Sequence, residues 1–166
     1  MPISPRRLYA LGFSSCLMLL IISLFLQFGL NLEPCPLCIL DRVTILILTS
    51  LYLAAYLHYR QLGIYNSFIF FTTLGGLFIA IRHVWLQQLP PDQVPACGPG
   101  LNYLLETFPV MEVIKLILNG SGECAKVDWT LLGLSTAQWT VLVFSGLLLL
   151  IISLMVLCHG KKKGSP

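Results

Sequence analysis

The sequence predicts an all-α integral membrane protein, a four-helix transmembrane bundle with two outer loops, on three observations. Hydrophobic residues make up 57% of the chain and charged residues only 10%, whereas a soluble domain of 166 residues must cover its surface with polar side chains. Charge-free runs extend from Leu8 to Leu32, Val43 to Tyr59, Gln61 to Ile81 and Trp129 to Gly160, and each supplies the roughly 17–25 residues that cross a hydrocarbon core. The charges, finally, are sorted by side. Arg6, Arg7, Arg60 and Lys161, Lys162 and Lys163 fall at the N-terminus, the 2–3 turn and the C-terminal tail, which share one side of a four-span chain. All seven acids, Glu33, Asp41, Asp92, Glu106, Glu112, Glu123 and Asp128, fall on the other side, with only Arg42, Arg82, Lys115 and Lys126. The positive-inside rule then places both termini in the cytoplasm and both acid-bearing loops outside. The net charge of +3 reflects topology and gives no sign of a nucleic-acid partner.

The predicted spans are 8–30, 38–58, 62–82 and 137–158, with outer loops 31–37 and 83–136, in one membrane domain, 1–166. A cleaved signal peptide is the alternative for the first run. Its apolar stretch is too long for a usual signal core, and no clear small-x-small site precedes Asn31, so the run is read as a span. Gly12, Ser14, Ser15, Ser23 and Gly29 supply small residues for close helix contact in lipid. Cys16, inside this span, and Cys158, at the cytoplasmic end of the fourth, read as packing, because a thiol in hydrocarbon stays protonated and inert.

The first outer loop runs into Glu33-Pro34-Cys35-Pro36-Leu37-Cys38-Ile39-Leu40-Asp41-Arg42. Two thiols at Cys-x-x-Cys spacing close a small, easily exchanged disulfide, and one bridging three residues restrains too little to be structural. Pro36 suits the first position of a helix, since its missing N–H is not needed there. Cys38 then lies in the first turn, where unpaired N–H groups and the helix dipole favour a thiolate. Arg42 follows one turn later on the same face, a cation able to support that thiolate or to hold a quinone oxygen; its alternative is an interfacial arginine snorkelling to the headgroups. Against the positive-inside trend, the functional reading is preferred.

The inner turn His58-Tyr59-Arg60-Gln61 is short, and His58 reads as an interface residue. Gly75-Gly76 in the third span allows a close crossing or a bend. At its outer end Arg82-His83-Val84-Trp85-Leu86-Gln87 has His83 and Gln87 four apart. If the helix persists they share a face and reach the Arg42 pocket; the alternative is an ordinary helix end with Trp85 in the aromatic belt. The second outer loop is the only soluble part of any size. Pro90-Pro91 through Gly98-Pro99-Gly100 is too rich in proline and glycine for a helix or a central strand, which leaves Cys97 on an exposed segment suited to extended docking onto another protein. From Met111 to Leu118 the pattern is that of an amphipathic piece lying on the membrane surface. Cys124 follows in a turn-rich segment.

Cys35, Cys38, Cys97 and Cys124 therefore all lie outside, two per loop, where bacteria permit disulfides. A structural Cys97–Cys124 bridge and a four-thiolate zinc site are the plain alternatives; the oxidising side of a membrane argues against zinc, and no metal is expected.

This combination resembles the DsbB family, the bacterial disulfide bond formation proteins B. The four spans, the Cys-x-x-Cys with Arg42 at the head of the second, the pair Cys97 and Cys124, Ser121-Gly122-Glu123-Cys124-Ala125, Gly133-Leu134 and Gln138-Trp139 carry the resemblance over nearly the whole chain. Pro36 stands between the cysteines where the best-known member has a different residue, and the approach to Cys97 is unusually proline-rich, which bears on reactivity and partner choice. The resemblance implies a thiol:quinone oxidoreductase of the bacterial inner membrane, with both outer loops periplasmic and redox-active. A DsbA-like thioredoxin-fold partner would be oxidised at Cys97, and Cys97 and Cys124 would exchange with Cys35 and Cys38 through a Cys35–Cys124 link. Cys38 would deliver the electrons to a ubiquinone or menaquinone from the membrane pool, held near Arg42 with Gln87 and His83 in support. Three alternatives stand beside this: a DsbI-type relative with a dedicated partner, a transmembrane carrier of reductant, and a nonenzymatic scaffold with structural disulfides. The reductant carrier would need reactive cysteines at membrane depth or inside, and Cys16 and Cys158 do not make a convincing pair.

Overall fold

A computed structural model of the chain describes residues 4–32, 34–59, 61–90, 92–94, 109, 111–112, 122–127 and 129–163. Four of its helices are long and apolar enough to cross a membrane: α1 (Pro5–Gly29), α2 (Pro36–His58), α3 (Leu62–Gln87) and α5 (Thr136–Lys163). Between α3 and α5 lie a one-turn helix, α4 (Gly122–Ala125), and a two-stranded antiparallel hairpin of β1 (Thr130–Leu131) and β2 (Leu134–Ser135). Neighbours in sequence pack against one another, α1 on α2 and α2 on α3; α3 then packs on α5, and a smaller contact between α1 and α5 closes the ring.

Small side chains set how closely the helices cross. A Cβ added at Gly12 would strike the Tyr52 ring, and one added at Gly76 would fall on the Phe144 ring and Thr44. The core grows around these crossings and includes Tyr9, Cys16, Leu48, Tyr52, Ile69, Phe144, Ile151 and Leu154. Phe25, Phe28, Phe71, Phe78 and Leu149 point outward, as lipid-facing side chains of a spanning helix do. The buried Tyr9 hydroxyl donates to Asn66 Oδ1 at 2.6 Å, satisfying a polar pair that hydrocarbon would otherwise leave unpaired. Toward the same end, the Arg6 guanidinium lies 4.9 Å from the centre of the Tyr56 ring. Cys16 is fully buried in this core.

Each spanning helix is longer than its predicted span, although α1 ends at Gly29, one residue short of the expected 30. Helix α1 begins at Pro5, the proline occupying its first turn. Helix α3 continues through Gln87 rather than stopping near 82, because Ala80, His83 and Leu86 keep one buried stripe and no breaker occurs before Pro90. Helix α5 runs on to Lys163. The segment 95–100 with Cys97 and most of the amphipathic stretch 111–118 lie outside the described residues.

The two adjacent glycines of α3 give a paired prediction. Gly76→Ala forces a methyl into the fully buried Phe144 ring and lowers stability by about 1–3 kcal/mol. Gly75 has nothing within 4 Å of an added Cβ, so Gly75→Ala is neutral or stabilises by up to about 1 kcal/mol through helix propensity. Thermal unfolding of the two variants in detergent checks the opposite signs.

Candidate functional site

The outer end of the bundle is built from the start of α2. Cys35 is the N-cap and Pro36 the first helical residue, so the chain turns into α2 within the Cys-x-x-Cys. Cys35 Sγ takes the role usually filled by a serine or aspartate oxygen, accepting the Cys38 backbone N–H at 3.3 Å. The Cys35 thiol donates to Cys38 Sγ at 2.8 Å, and His83 Nε2, from the last turn but one of α3, lies 3.7 Å from Cys35 Sγ. Helix α4 packs on α3 and brings Cys124 into a small buried cluster with Leu37 and Leu86, against which Cys35 packs. Hydrogen bonding with Cys124 and with Cys38, and then burial, push the Cys35 thiol far above the usual thiol range.

Beside these sulfurs is a cavity of about 360 Å³, within the range of small-ligand and cofactor sites. Its wall is largely apolar, with Leu19, Ile22 and Leu26 from α1, Ile45 from α2 and Val143 from α5. Cys35, Cys38, Asp41, Arg42, His83 and Gln87 supply polar groups on the same wall. All the described site residues named from sequence except Cys124 line this cavity. Cys124 sits behind Cys35 in the packed cluster, and Cys97 lies outside the described residues.

Arg42 differs from the sequence reading in its contacts. Its guanidinium reaches across to α1, where Nε donates to Ser23 Oγ at 2.5 Å, Nη2 to the Ser23 carbonyl at 3.1 Å, and Nη1 to Gln27 Oε1. A planar fork can satisfy three acceptors on one helix turn, which a headgroup-seeking side chain would leave to lipid. Gln87 Oε1 accepts from the Ser135 hydroxyl at 2.7 Å. Ser135 also caps α5 reciprocally with Gln138: the Ser135 N–H donates to Gln138 Oε1 at 2.9 Å and the Gln138 N–H to Ser135 Oγ at 3.3 Å. The Trp139 indole N–H donates to the Leu131 carbonyl at 3.1 Å, tying the hairpin to α5 at the cavity rim.

Three residues that the sequence reading does not place in the site belong to this wall. Ser23 and Gln27 hold Arg42, and their spacing of four on α1 is the signal a helical wheel offers. Asp41 is the third. Its side chain is 5% exposed, and Oδ1 has no hydrogen-bond partner among the described residues.

A family model described as "Disulfide bond formation protein DsbB" matches residues 5–154. The chain belongs to the DsbB family. It is 49% identical to Disulfide bond formation protein B of Nitrosococcus oceani over 147 residues, 87% of each chain. The protein of the same name from Methylococcus capsulatus is 48% identical over 147 residues, 87% of this chain and 90% of the relative. Disulfide bond formation protein B 1 of Pseudomonas aeruginosa is 40% identical over 144 residues, 85% of this chain and 88% of the relative. Family membership and four apolar helices together make this a multi-pass membrane protein.

The raised Cys35 thiol makes a prediction about pH. Only the thiolate alkylates, so in the reduced protein Cys35 reacts with iodoacetamide far more slowly than a free thiol near neutrality. Its rate climbs only as pH rises well into the alkaline range, and Cys124→Ala, which removes the hydrogen bond that raises the thiol most, moves the rise to lower pH. Mass-spectrometric alkylation kinetics at single cysteines checks both statements.

Proposed function

We propose that this protein regenerates the disulfide of a DsbA-like thioredoxin-fold oxidase and passes the two electrons to ubiquinone or menaquinone. The observation that carries the reading is the cavity in which Cys38, Arg42, Asp41, His83 and Gln87 meet an apolar wall. A quinone has this shape of requirement: polar oxygens on a flat ring and an apolar tail. Arg42 and His83 would hold the oxygens, and the α1, α2 and α5 side chains would enclose the ring. When bound, the quinone supplies an acceptor of two electrons and two protons.

The protein's own steps are thiol exchanges. A partner thiolate attacks Cys97 of a Cys97–Cys124 disulfide, and resolution releases the partner oxidised and leaves both loop cysteines as thiols. Cys124 then attacks Cys35 of the Cys35–Cys38 disulfide, forming a Cys35–Cys124 link and freeing Cys38. Packing favours this direction, because Cys124 lies against Cys35 and because Cys35, whose thiolate is disfavoured, is a poor leaving group for attack at Cys38. Cys97 resolves the link and restores the loop disulfide. Cys38, at the first turn of α2 and on the cavity wall, is the thiol from which electrons leave as the Cys35–Cys38 disulfide re-forms. The two partner thiols lose two electrons and two protons in the sum, and the quinone gains both.

This reading places the protein in the bacterial inner membrane with both termini cytoplasmic and the cysteine-bearing end in the periplasm. It is supported by the charge asymmetry of the sequence and by the need for a disulfide-permissive compartment. The test is steady-state oxidation of a reduced thioredoxin-fold dithiol by purified protein in detergent. Oxidation that requires added quinone and yields one quinol per partner disulfide supports the reading; oxidation at the same rate without quinone, under strict anaerobiosis, contradicts it.

A further inference from the structure

We propose that the reduced Cys35–Cys38 pair and His83 form a binding site for a soft divalent cation, of the zinc and cadmium class, that exists only in the dithiol state. The ligand atoms, Cys35 Sγ, Cys38 Sγ and His83 Nε2, all lie within 4.8 Å of one another. A tetrahedral ion with sulfur at about 2.3 Å and nitrogen at about 2.0–2.1 Å spaces its ligands roughly 3.5–3.8 Å apart. The Cys35 Sγ to His83 Nε2 distance of 3.7 Å already meets that spacing. The two sulfurs, at 2.8 Å, need to open by about 1 Å, which rotation of the Cys38 side chain toward the cavity provides. Two thiolates and one imidazole are a ligand set suited to this class of ion, and the fourth position is left to the cavity.

The backbone fixes the site. Cys35 is held as the N-cap of α2, Cys38 by the first turn, and His83 by the packed end of α3, 2% exposed. Binding replaces two S–H protons with two metal–sulfur bonds and releases both protons; no electrons move. A Cys35–Cys38 disulfide removes both sulfur ligands, so the ion and the oxidised state exclude each other. With three protein ligands, an open fourth position and both sulfurs lost on oxidation, the site is one from which the ion exchanges, a trap for the reduced enzyme rather than a structural centre. The consequence for turnover, inhibition relieved by a chelator, rests on the proposed function; the binding itself does not.

The test uses Co²⁺ as the probe, added to the full chain in detergent, quinone-free, reduced and then freed of reductant under anaerobic conditions. The expected result is one equivalent bound, with sulfur-to-cobalt charge-transfer absorption and the intense visible bands of four-coordinate Co²⁺, both displaced by Zn²⁺. Cys38→Ser, Cys35→Ser and His83→Gln each weaken binding at least about tenfold; Cys16→Ser and the double variant Cys97→Ser, Cys124→Ser do not. The oxidised chain shows no bands. Bands that survive in Cys38→Ser, or persist in the oxidised chain, overturn the site, as does a His83→Gln chain that binds like the parent. Bands lost only in the Cys97→Ser, Cys124→Ser chain place the ion on the loop pair and overturn it too. Turnover measured in chelator tests the enzymatic reading separately, so either can fail without the other.

Discussion

Replacing Cys38 with serine lowers quinone-dependent turnover by roughly 10³-fold or more, the loss expected when a reacting thiol is removed. Two described sulfurs, Cys35 and Cys38, line the cavity. Cys35 is committed elsewhere, as the helix cap and as a partner of Cys124, and hydrogen bonding keeps it in its thiol form. A hydroxyl at 38 keeps the helix start intact, because Cys38 contributes only its backbone N–H to the cap. The variant is therefore folded but stalled: it has no Cys35–Cys38 disulfide for Cys124 to attack, so after one exchange with the partner, Cys35, Cys97 and Cys124 remain thiols. Peptide mapping after alkylation detects those three thiols, while the quinol assay reads the lost turnover. A Cys38→Ser chain that turns over like the parent rejects the assignment of Cys38.

The second large effect is at Arg42. Its three hydrogen bonds fasten the head of α2 to Ser23 and Gln27 on α1, while the same side chain lines the cavity. Arg42→Met removes both contributions. A charged hydrogen bond is worth about 1.5–3 kcal/mol, so kcat/KM for quinone falls by roughly 10–150-fold, carried mostly by KM. Arg42→Lys keeps the charge but cannot satisfy three acceptors in a plane, and it falls between parent and Met. If Arg42 were only a clamp between helices, both variants would lower the melting temperature and leave the quinone KM unchanged. Measuring KM and thermal stability on the same preparations separates the two roles.

How much of this was legible in the sequence varies with the length scale of the signal. Four long apolar runs and a sorted set of charges specify a spanning bundle without reference to tertiary contacts. Pro36 marks the start of α2 through its backbone chemistry, and the structure places the first turn there. Helix ends were less legible. The persistence of α3 through His83 and Gln87 depends on the buried stripe continuing to Leu86, and nothing local in Arg82-His83-Val84 announces it. The β1–β2 hairpin was missed because its two-residue turn is Leu132-Gly133, with φ of 54° and 80°; asparagine or aspartate normally advertises that conformation, and leucine hides it. The Ser135-Thr136-Ala137-Gln138 cap of α5 was readable as a Ser-x-x-Gln signature. Arg42 illustrates the remaining limit: its spacing from Cys38 set a shared face, but the partners that hold its guanidinium come from a helix fifteen and nineteen residues earlier in the chain.

Asp41 was read only as a charge on the outer side. A carboxyl closed off from water beside the cavity, with one oxygen unpartnered, emerges only once α1, α3 and α4 are packed around it. Its place on the wall makes it a natural group to exchange protons as the acceptor is reduced, and Asp41→Asn is expected to slow quinol formation while leaving thiol exchange with the partner intact.

The central claim is that electrons leave through the Cys35–Cys38 pair to quinone, and an anaerobic single-turnover experiment tests it most directly. The Cys97→Ser chain is reduced, freed of reductant and mixed with one equivalent of quinone, and both quinol and the protein's thiols are counted. The account predicts one quinol per chain, matched by the loss of two thiols and a new disulfide mapped to Cys35 and Cys38. Persistence of both thiols beside bound, unreduced quinone contradicts it.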